Sequence, residues 1–357
     1  MMLQSLDIVI VLKVFGLAVC STLVAAFFTP FLTHFLYKHQ LWRKEARTKT
    51  ITGEEASVFY GLHKERETNV PRFGGLIVWV VPLLVIMVFF VLSRISENHV
   101  LQTLNFFSRE QTWLPLFALV SASLLGLADD ALQVSGKGKY IAGGMTFKKR
   151  LALVSLIGAV GAWWFYSKLG WSTIFFPFLG EVDLGWAYVP LFILTMLGCW
   201  SGGIVDGLDG LAGGTFASIF MGFSVISIFN GQADLAAFCA VIAGAILTFL
   251  WFNIPPARFY MSETGTMGLT CTLAVVAFLT DSVVVLPIIA GILAVESGSV
   301  ILQLLSKKIR KKKIFLCSPL HHHFEAKGWP AYKVTMRFWV IGVVLAIVGV
   351  AIRMLGQ

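Results

Sequence analysis

The chain has 357 residues, 57% hydrophobic and 13% charged, with 28 Lys and Arg against 19 Asp and Glu for a formal net charge of +9. Soluble domains carry about 25% charged residues, and half that density over this length cannot coat a globular surface. A soluble enzyme, a disordered chain and a secreted disulfide scaffold are therefore excluded.

A membrane span needs about 20 apolar residues, and the apolar runs place ten, at 8–37, 74–93, 113–128, 151–167, 187–204, 211–229, 235–252, 265–280, 282–306 and 336–355. The first is too long for a signal-peptide core and reads as a span. A bilayer leaves backbone groups no partner outside a helix or a closed barrel, and these runs are continuous rather than alternating, which excludes the barrel. The expected fold is an all-α polytopic membrane protein forming one domain over 1–357. Lys and Arg concentrate after odd-numbered spans, from Lys38 to Arg72, Lys137 to Arg150, at Arg258, and from Lys307 to Lys333, whereas the loops after even spans and the tail hold only Arg94, Arg109, Lys168 and Arg353. The positive-inside rule then puts odd loops in the cytoplasm and both termini outside. The basic balance becomes a topology signal and a face for anionic lipid or a polyanionic substrate, with no nucleic acid implied.

Pro71-Arg72-Phe73-Gly74-Gly75 ends the first loop, and its glycines admit a lipid chain or a neighbouring helix. Asp129 and Asp130 follow span three and point about 100° apart on a helix, so they serve different partners. Gly136-Lys137-Gly138-Lys139 lacks phosphate-loop spacing and reads as a flexible basic loop. Trp171 to Trp186, with Gly180 near its middle, is expected as a small hairpin at the membrane interface. In Asp206-Gly207-Leu208-Asp209-Gly210, two carboxylates share a helix face beside glycines open to close approach. Asn253, Arg258 and Glu263 join spans seven and eight. Glu296 lies inside span nine, a functional candidate or a locally hydrogen-bonded structural group. The basic run Lys307 to Lys313 is read as a membrane-surface anchor. In His321-His322-His323-Phe324-Glu325 three consecutive imidazoles diverge, which argues against a zinc site; one or two of them are expected to donate to phosphate oxygens, the alternative being histidines that simply sit in the loop. Carboxylates without a matching cysteine cluster suit a hard cation, Mg²⁺, held by one or two carboxylates plus phosphate.

Asp129-Asp130, Asp206-Gly-Leu-Asp209-Gly-Leu-Ala212, Trp251-Phe-Asn253 through Met261-Ser-Glu-Thr-Gly265, and Pro319-Leu-His-His-His323-Phe-Glu325 together resemble the polyprenyl-phosphate N-acetylhexosamine-1-phosphate transferases. With Lys327-Gly-Trp-Pro330 and Arg337-Phe-Trp339 they look most like the MraY branch, the phospho-N-acetylmuramoyl-pentapeptide transferases. The resemblance implies ten transmembrane helices in the bacterial cytoplasmic membrane, a homodimer, Mg²⁺ and a cytoplasmic active site. It also implies transfer of phospho-MurNAc-pentapeptide from UDP-MurNAc-pentapeptide to undecaprenyl phosphate, giving lipid I and UMP for peptidoglycan. By the same resemblance Asp129, Asp130, Glu263 and His321 form the catalytic set, with Glu263 and Asp130 on the metal. Lys148, Asp206, Asp209, Asn253, Tyr260, His322 and His323 are then expected on the substrates. Four positions depart from the pattern: Glu263 replaces Asp, Gln133 replaces the Lys of Asp-Asp-x-x-Lys, Gly203 replaces Asn, and Thr68 replaces Lys, with Lys64 or Arg66 as substitutes. A sibling transferase using UDP-N-acetylglucosamine and a catalytically degenerate homologue are the alternatives.

Overall fold

A computed structural model describes residues 8–44, 60–61, 68–138 and 143–356. In chain order the α-helices are α1 (Leu17–Lys38), α2 (Leu76–Ile95), α3 (His99–Leu104), α4 (Trp113–Ser135), α5 (Phe147–Trp163), α6 (Tyr188–Ser201), α7 (Leu211–Phe229), α8 (Ala233–Asn253), α9 (Ser262–Leu279), α10 (Leu286–Ile289), α11 (Gly291–Arg310), α12 (Leu320–Ala326) and α13 (Ala331–Leu355). Strands β1 (Thr173–Phe176) and β2 (Gly180–Asp183) pair antiparallel between α5 and α6. This is the hairpin expected between Trp171 and Trp186. Among the described residues nine helices are long and apolar enough to cross a membrane; with α1 extended back to Ile8, they make this a multi-pass membrane protein.

The centre is α9, in which every residue except Glu263 is buried. A helix enclosed by protein need not present apolar groups to lipid, and α9 carries small and hydroxylated residues instead. Thr266 and Thr270 donate back to the carbonyls of Ser262 and Thr266 at 3.0 and 2.7 Å. The small residues let neighbours approach backbone to backbone. A Cβ added to Gly75 would lie 2.3 Å from Gly265 N, and one on Gly126 would lie 2.0 Å from Glu263 O. The glycines at 74–75 thus admit a helix. α2 and α4 are drawn onto the N-terminal end of α9, where the acidic residues collect.

The stretch expected as one ninth span is two helices. Pro287 lies in the first turn of α10, the chain breaks at Ala290 (φ −96°, ψ 32°), and α11 starts afresh at Gly291. The apolar run 283–295 hides this break, because hydropathy does not register backbone angles. α11 buries Glu296, Ser297, Ser299, Gln303 and Ser306, so it packs a polar face against protein. At the other end of the bundle, Arg353 of α13 donates to Asp281 O at 3.1 Å and stacks 4.4 Å over the ring of Phe175 in β1. Lys13 pairs with Asp234 there. The hairpin and these pairs close the end remote from the carboxylates.

Candidate active site

Five segments distant in sequence meet at the N-terminus of α9. The loop before α2 pairs with the strand-like approach to α9: Gly74 N donates to Tyr260 O at 2.9 Å, Gly75 N to Met261 O at 3.2 Å, and Tyr260 N to Pro71 O at 2.9 Å. This lays Arg72 beside the end of α4. Ser262 then takes a left-handed conformation (φ 55°), unusual for a residue with a Cβ. Its N–H donates to Asp206 Oδ2 at 2.7 Å.

Asp130 is fully enclosed. Its Oδ2 accepts from Thr264 N at 2.8 Å and from Thr264 Oγ1 at 2.7 Å, and its Oδ1 accepts from Arg72 Nε at 3.2 Å. A helix N-terminus favours an anion in this position. Burial alone would lower the Arg72 pKa, but Asp130, with Asp206 and Glu263, outweighs it and holds the guanidinium charged above its ordinary range. Asp129 faces the other way, as two adjacent helical residues must. It accepts from Gln133 Nε2 at 2.7 Å and from Met145 N. Arg150 of α5 bridges to α9: its Nη1 lies 2.7 Å from Glu263 Oε1 and 3.8 Å from Asp129 Oδ2. Glu263 is the open member, its side chain 27% exposed against 1% for Asp129 and 0% for Asp130.

The 206–210 loop borders this cluster. Burial pushes the Asp206 carboxyl up to about 6, against the Ser262 N–H and Arg72, which pull it down. Asp209 Oδ2 accepts from Ala257 N at 3.1 Å. Asn253 clamps the loop, accepting from Gly210 N at 2.9 Å and donating to Phe259 O at 2.8 Å. His321 reaches Gly207 from α12: a Cβ at Gly207 would lie 2.2 Å from its Nε2. The residue approaching this glycine is therefore an imidazole. The His321 Nδ1 pairs with Glu296 Oε2 at 2.9 Å, both side chains fully buried, and its Nε2 has no protein partner among the described residues. Glu296 is thus joined to the His motif.

The three histidines diverge as expected. His322 pairs through Nδ1 with Glu325 at 2.7 Å, while His323 accepts from Leu316 N at 3.1 Å and is pushed down in pKa by burial and Lys327. Lys148 stands exposed on the first turn of α5, two residues from Arg150. Tyr260 contributes its backbone to the pairing with Pro71 and Gly74. Lys64, Arg66 and Lys139 lie outside the described residues. Sequence reasoning missed Arg150, Thr264 and Arg43, and read Arg72 only as part of a loop ending. Arg150 was visible as one member of the basic run 148–150, but nothing in the run selects it over Lys148.

Acidic side chains crossed by arginines, at the meeting of helix ends in a multi-pass helical protein, make a charged and largely enclosed site. Residues 112–281, which contain most of this site, match the family model described as Glycosyl transferase family 4. The chain is 34% identical over 292 residues to the phospho-N-acetylmuramoyl-pentapeptide-transferase of Geobacillus sp. (strain WCH70), covering 81% of this chain and 85% of that protein. It is 35% identical over 293 residues to the same-named protein of Anoxybacillus flavithermus, with the same coverage, and 34% identical over 265 residues to that of Pelagibacter ubique, covering 68% and 73%. The chain belongs to the phospho-N-acetylmuramoyl-pentapeptide-transferase family.

Proposed function

We propose that the protein transfers phospho-MurNAc-pentapeptide from UDP-MurNAc-pentapeptide to undecaprenyl phosphate, releasing UMP and forming lipid I for peptidoglycan synthesis. The observation that carries this reading is the joint placement of Asp129, Asp130, Arg150 and Glu263 at one helix-end cluster in a chain of this family. In the reaction an oxygen of the lipid phosphate attacks the β-phosphorus of the UDP-sugar, and the bond to the UMP oxygen breaks. Such transfers depend on positioning and charge neutralisation. The lipid phosphate has a second pKa near 6 and is largely ionised at pH 7, so little proton removal is needed. Asp129 would accept the proton that the lipid phosphate still carries and so orient it, while Arg150 and Arg72 hold the surrounding carboxylates in place. The His321 imidazole, with Nδ1 turned to Glu296, presents Nε2 beside the 206–210 loop for a substrate oxygen. Lys148, Asp206, Asp209, Asn253, Tyr260, His322 and His323 are the candidate substrate contacts.

The donor set suits Mg²⁺. Among the described residues no group of three or more His, Cys, Asp or Glu is arranged to hold a metal alone, which agrees with a cation bound by one or two carboxylates and completed by substrate phosphates. Glu263, the most open carboxylate, would hold it, with Asp130 in support. When bound, the ion neutralises the diphosphate and the leaving UMP. Ten spans with both termini outside, a cytoplasmic site in the bacterial inner membrane and a homodimer complete the reading; the sorting of Lys and Arg supports the orientation. Purified protein with both substrates and Mg²⁺ should release UMP, and Asp129→Asn or Glu263→Gln should sharply reduce it. Absence of release by the wild type would return the degenerate reading, and turnover of UDP-N-acetylglucosamine alone would favour the sibling one.

A further inference from the structure

We propose that Arg43 is a positioning residue of the transferase site, acting through Gln133 to hold the Asp129 carboxylate. The inference rests on the transferase reading for its rate measurement but on geometry alone for its origin. Arg43 stands just past α1, 90 residues from Gln133 in sequence, yet it is only 5% exposed. Its Nε donates to Gln133 Oε1 at 3.1 Å, and its Nη2 donates to the same oxygen. Gln133 Nε2 in turn donates to Asp129 Oδ2 at 2.7 Å, one helical turn back along α4.

The chain Arg43–Gln133–Asp129 has only one workable polarity. A guanidinium has donors and no acceptor, and an ionised carboxylate has acceptors and no donor. The amide must therefore turn its oxygen to Arg43 and its nitrogen to Asp129. Gln133 is 7% exposed, so water cannot readily take over either contact. Asp129 is boxed in on its other side as well, since a Cβ at Gly144 would lie 2.8 Å from its Oδ1. Removing the guanidinium leaves the amide oxygen without this partner in an enclosed place. The amide is then free to rotate, and Asp129 loses a donor that fixes its direction. The cation that a lysine at position 133 would carry on α4 itself is here supplied from the end of the first span and relayed by an amide.

The test moves the charge between the two positions. Arg43→Gln removes the cation. Gln133→Lys sets a second cation against Arg43. In the double variant the introduced ammonium is placed to donate both to Asp129, at the favourable i, i+4 spacing, and to the carbonyl of the introduced amide. Each single variant should lower kcat for UMP release by about tenfold or more, with KM for the UDP-sugar changed by less than about threefold. The double variant should return to within about threefold of wild type. Thermal unfolding midpoints of the four proteins in detergent form a second cycle, and they too should be non-additive in the recovering direction. Where a single variant does not fold, recovery of folded protein in the double variant counts as the rescue. A double variant no better than the worse single one in either cycle overturns the proposal, as does a loss confined to KM. If the wild type releases no UMP, the transferase reading falls. The unfolding cycle then decides the relay: a non-additive cycle supports it and an additive one overturns it.

Discussion

Thr264→Val tests whether Asp130 is held as a buried anion by α9. The substitution keeps the shape of the side chain and removes one hydroxyl. That hydroxyl lies 2.7 Å from Asp130 Oδ2, and neither side chain has any exposure. A hydrogen bond to a charged group is worth about 1.5–3 kcal/mol. The remaining donors, Thr264 N at 2.8 Å and Arg72 Nε at 3.2 Å, spare Asp130 the far larger cost of an isolated buried charge. A destabilisation of about 2 kcal/mol follows. Thr264→Ser keeps the hydroxyl and loses one methyl, about 1 kcal/mol. The valine variant should therefore unfold at lower temperature than the serine variant, and its UMP release should fall by about tenfold as Asp130 and Arg72 shift. The two variants are compared by thermal unfolding in detergent and by initial rates. A valine variant at least as stable and as active as the serine variant would refute the reasoning, because it would mean that Asp130 does not depend on that hydroxyl.

Three further outcomes are expected. Arg150→Gln removes the cation shared by Glu263 and Asp129, so Mg²⁺ should raise its unfolding midpoint more than that of wild type; an equal or smaller rise would count against Glu263 as the cation's ligand. Glu296→Gln leaves a carbonyl to accept from the His321 Nδ1–H but removes the charge behind the ring, so kcat should fall by about tenfold with folding retained, whereas Glu296→Ala should also lower the unfolding midpoint. Asp206, raised in the fold to about 6 from 3.8, binds its proton more tightly when folded. Its stabilising contribution is thus complete below about pH 4 and lost as pH rises through 6, so the stability advantage of Asp206→Asn at pH 7 should shrink on acidification to pH 4, and an advantage independent of pH would exclude Asp206 as its source.

The helical class, the hairpin and the acidic positions were legible in the sequence because each leaves a local mark. Continuous apolar runs mark spans, and carboxylates beside them stand out where charge is scarce. What was not legible is carried by contacts without local marks. The donors to Asp129, Asp130 and Asp206 include the backbone N–H groups of Met145, Thr264 and Ser262, which every residue but proline possesses. Arg72 and Arg150 meet Asp130 and Glu263 across 58 and 113 residues, and only the folded arrangement of α2, α4, α5 and α9 selects them from the other basic residues. The split of the ninth stretch at Ala290 was hidden for a related reason, since the residues on either side are apolar whether or not the helix is continuous.

The charge balance of the assembled site bears on the cation. Asp129, Asp130, Asp206 and Glu263 face Arg72 and Arg150, with Arg43 reaching Asp129 through Gln133. Every one of these guanidinium groups is already engaged by a carboxylate or by the amide beside one. The substrates bring a diphosphate and a phosphate monoester, the latter carrying about −1.5 to −2 at pH 7. Arginines committed to the protein's own acids cannot offset that charge without releasing those acids, which are too enclosed to be left unpaired cheaply. On the proposed reading a divalent ion held at Glu263 would resolve the conflict, taking Arg150's place beside that carboxylate and supplying positive charge to the phosphates. Glu263 is where that exchange is least costly: its extra methylene relative to Asp reaches Arg150, and its partial exposure lets the pair open without stranding a buried charge. On this reasoning, the replacement of Asp by Glu at 263 and of Lys by Gln at 133 preserves the charge of the site while moving two of its contacts to arginines elsewhere in the chain, Arg150 on α5 and Arg43 just past α1.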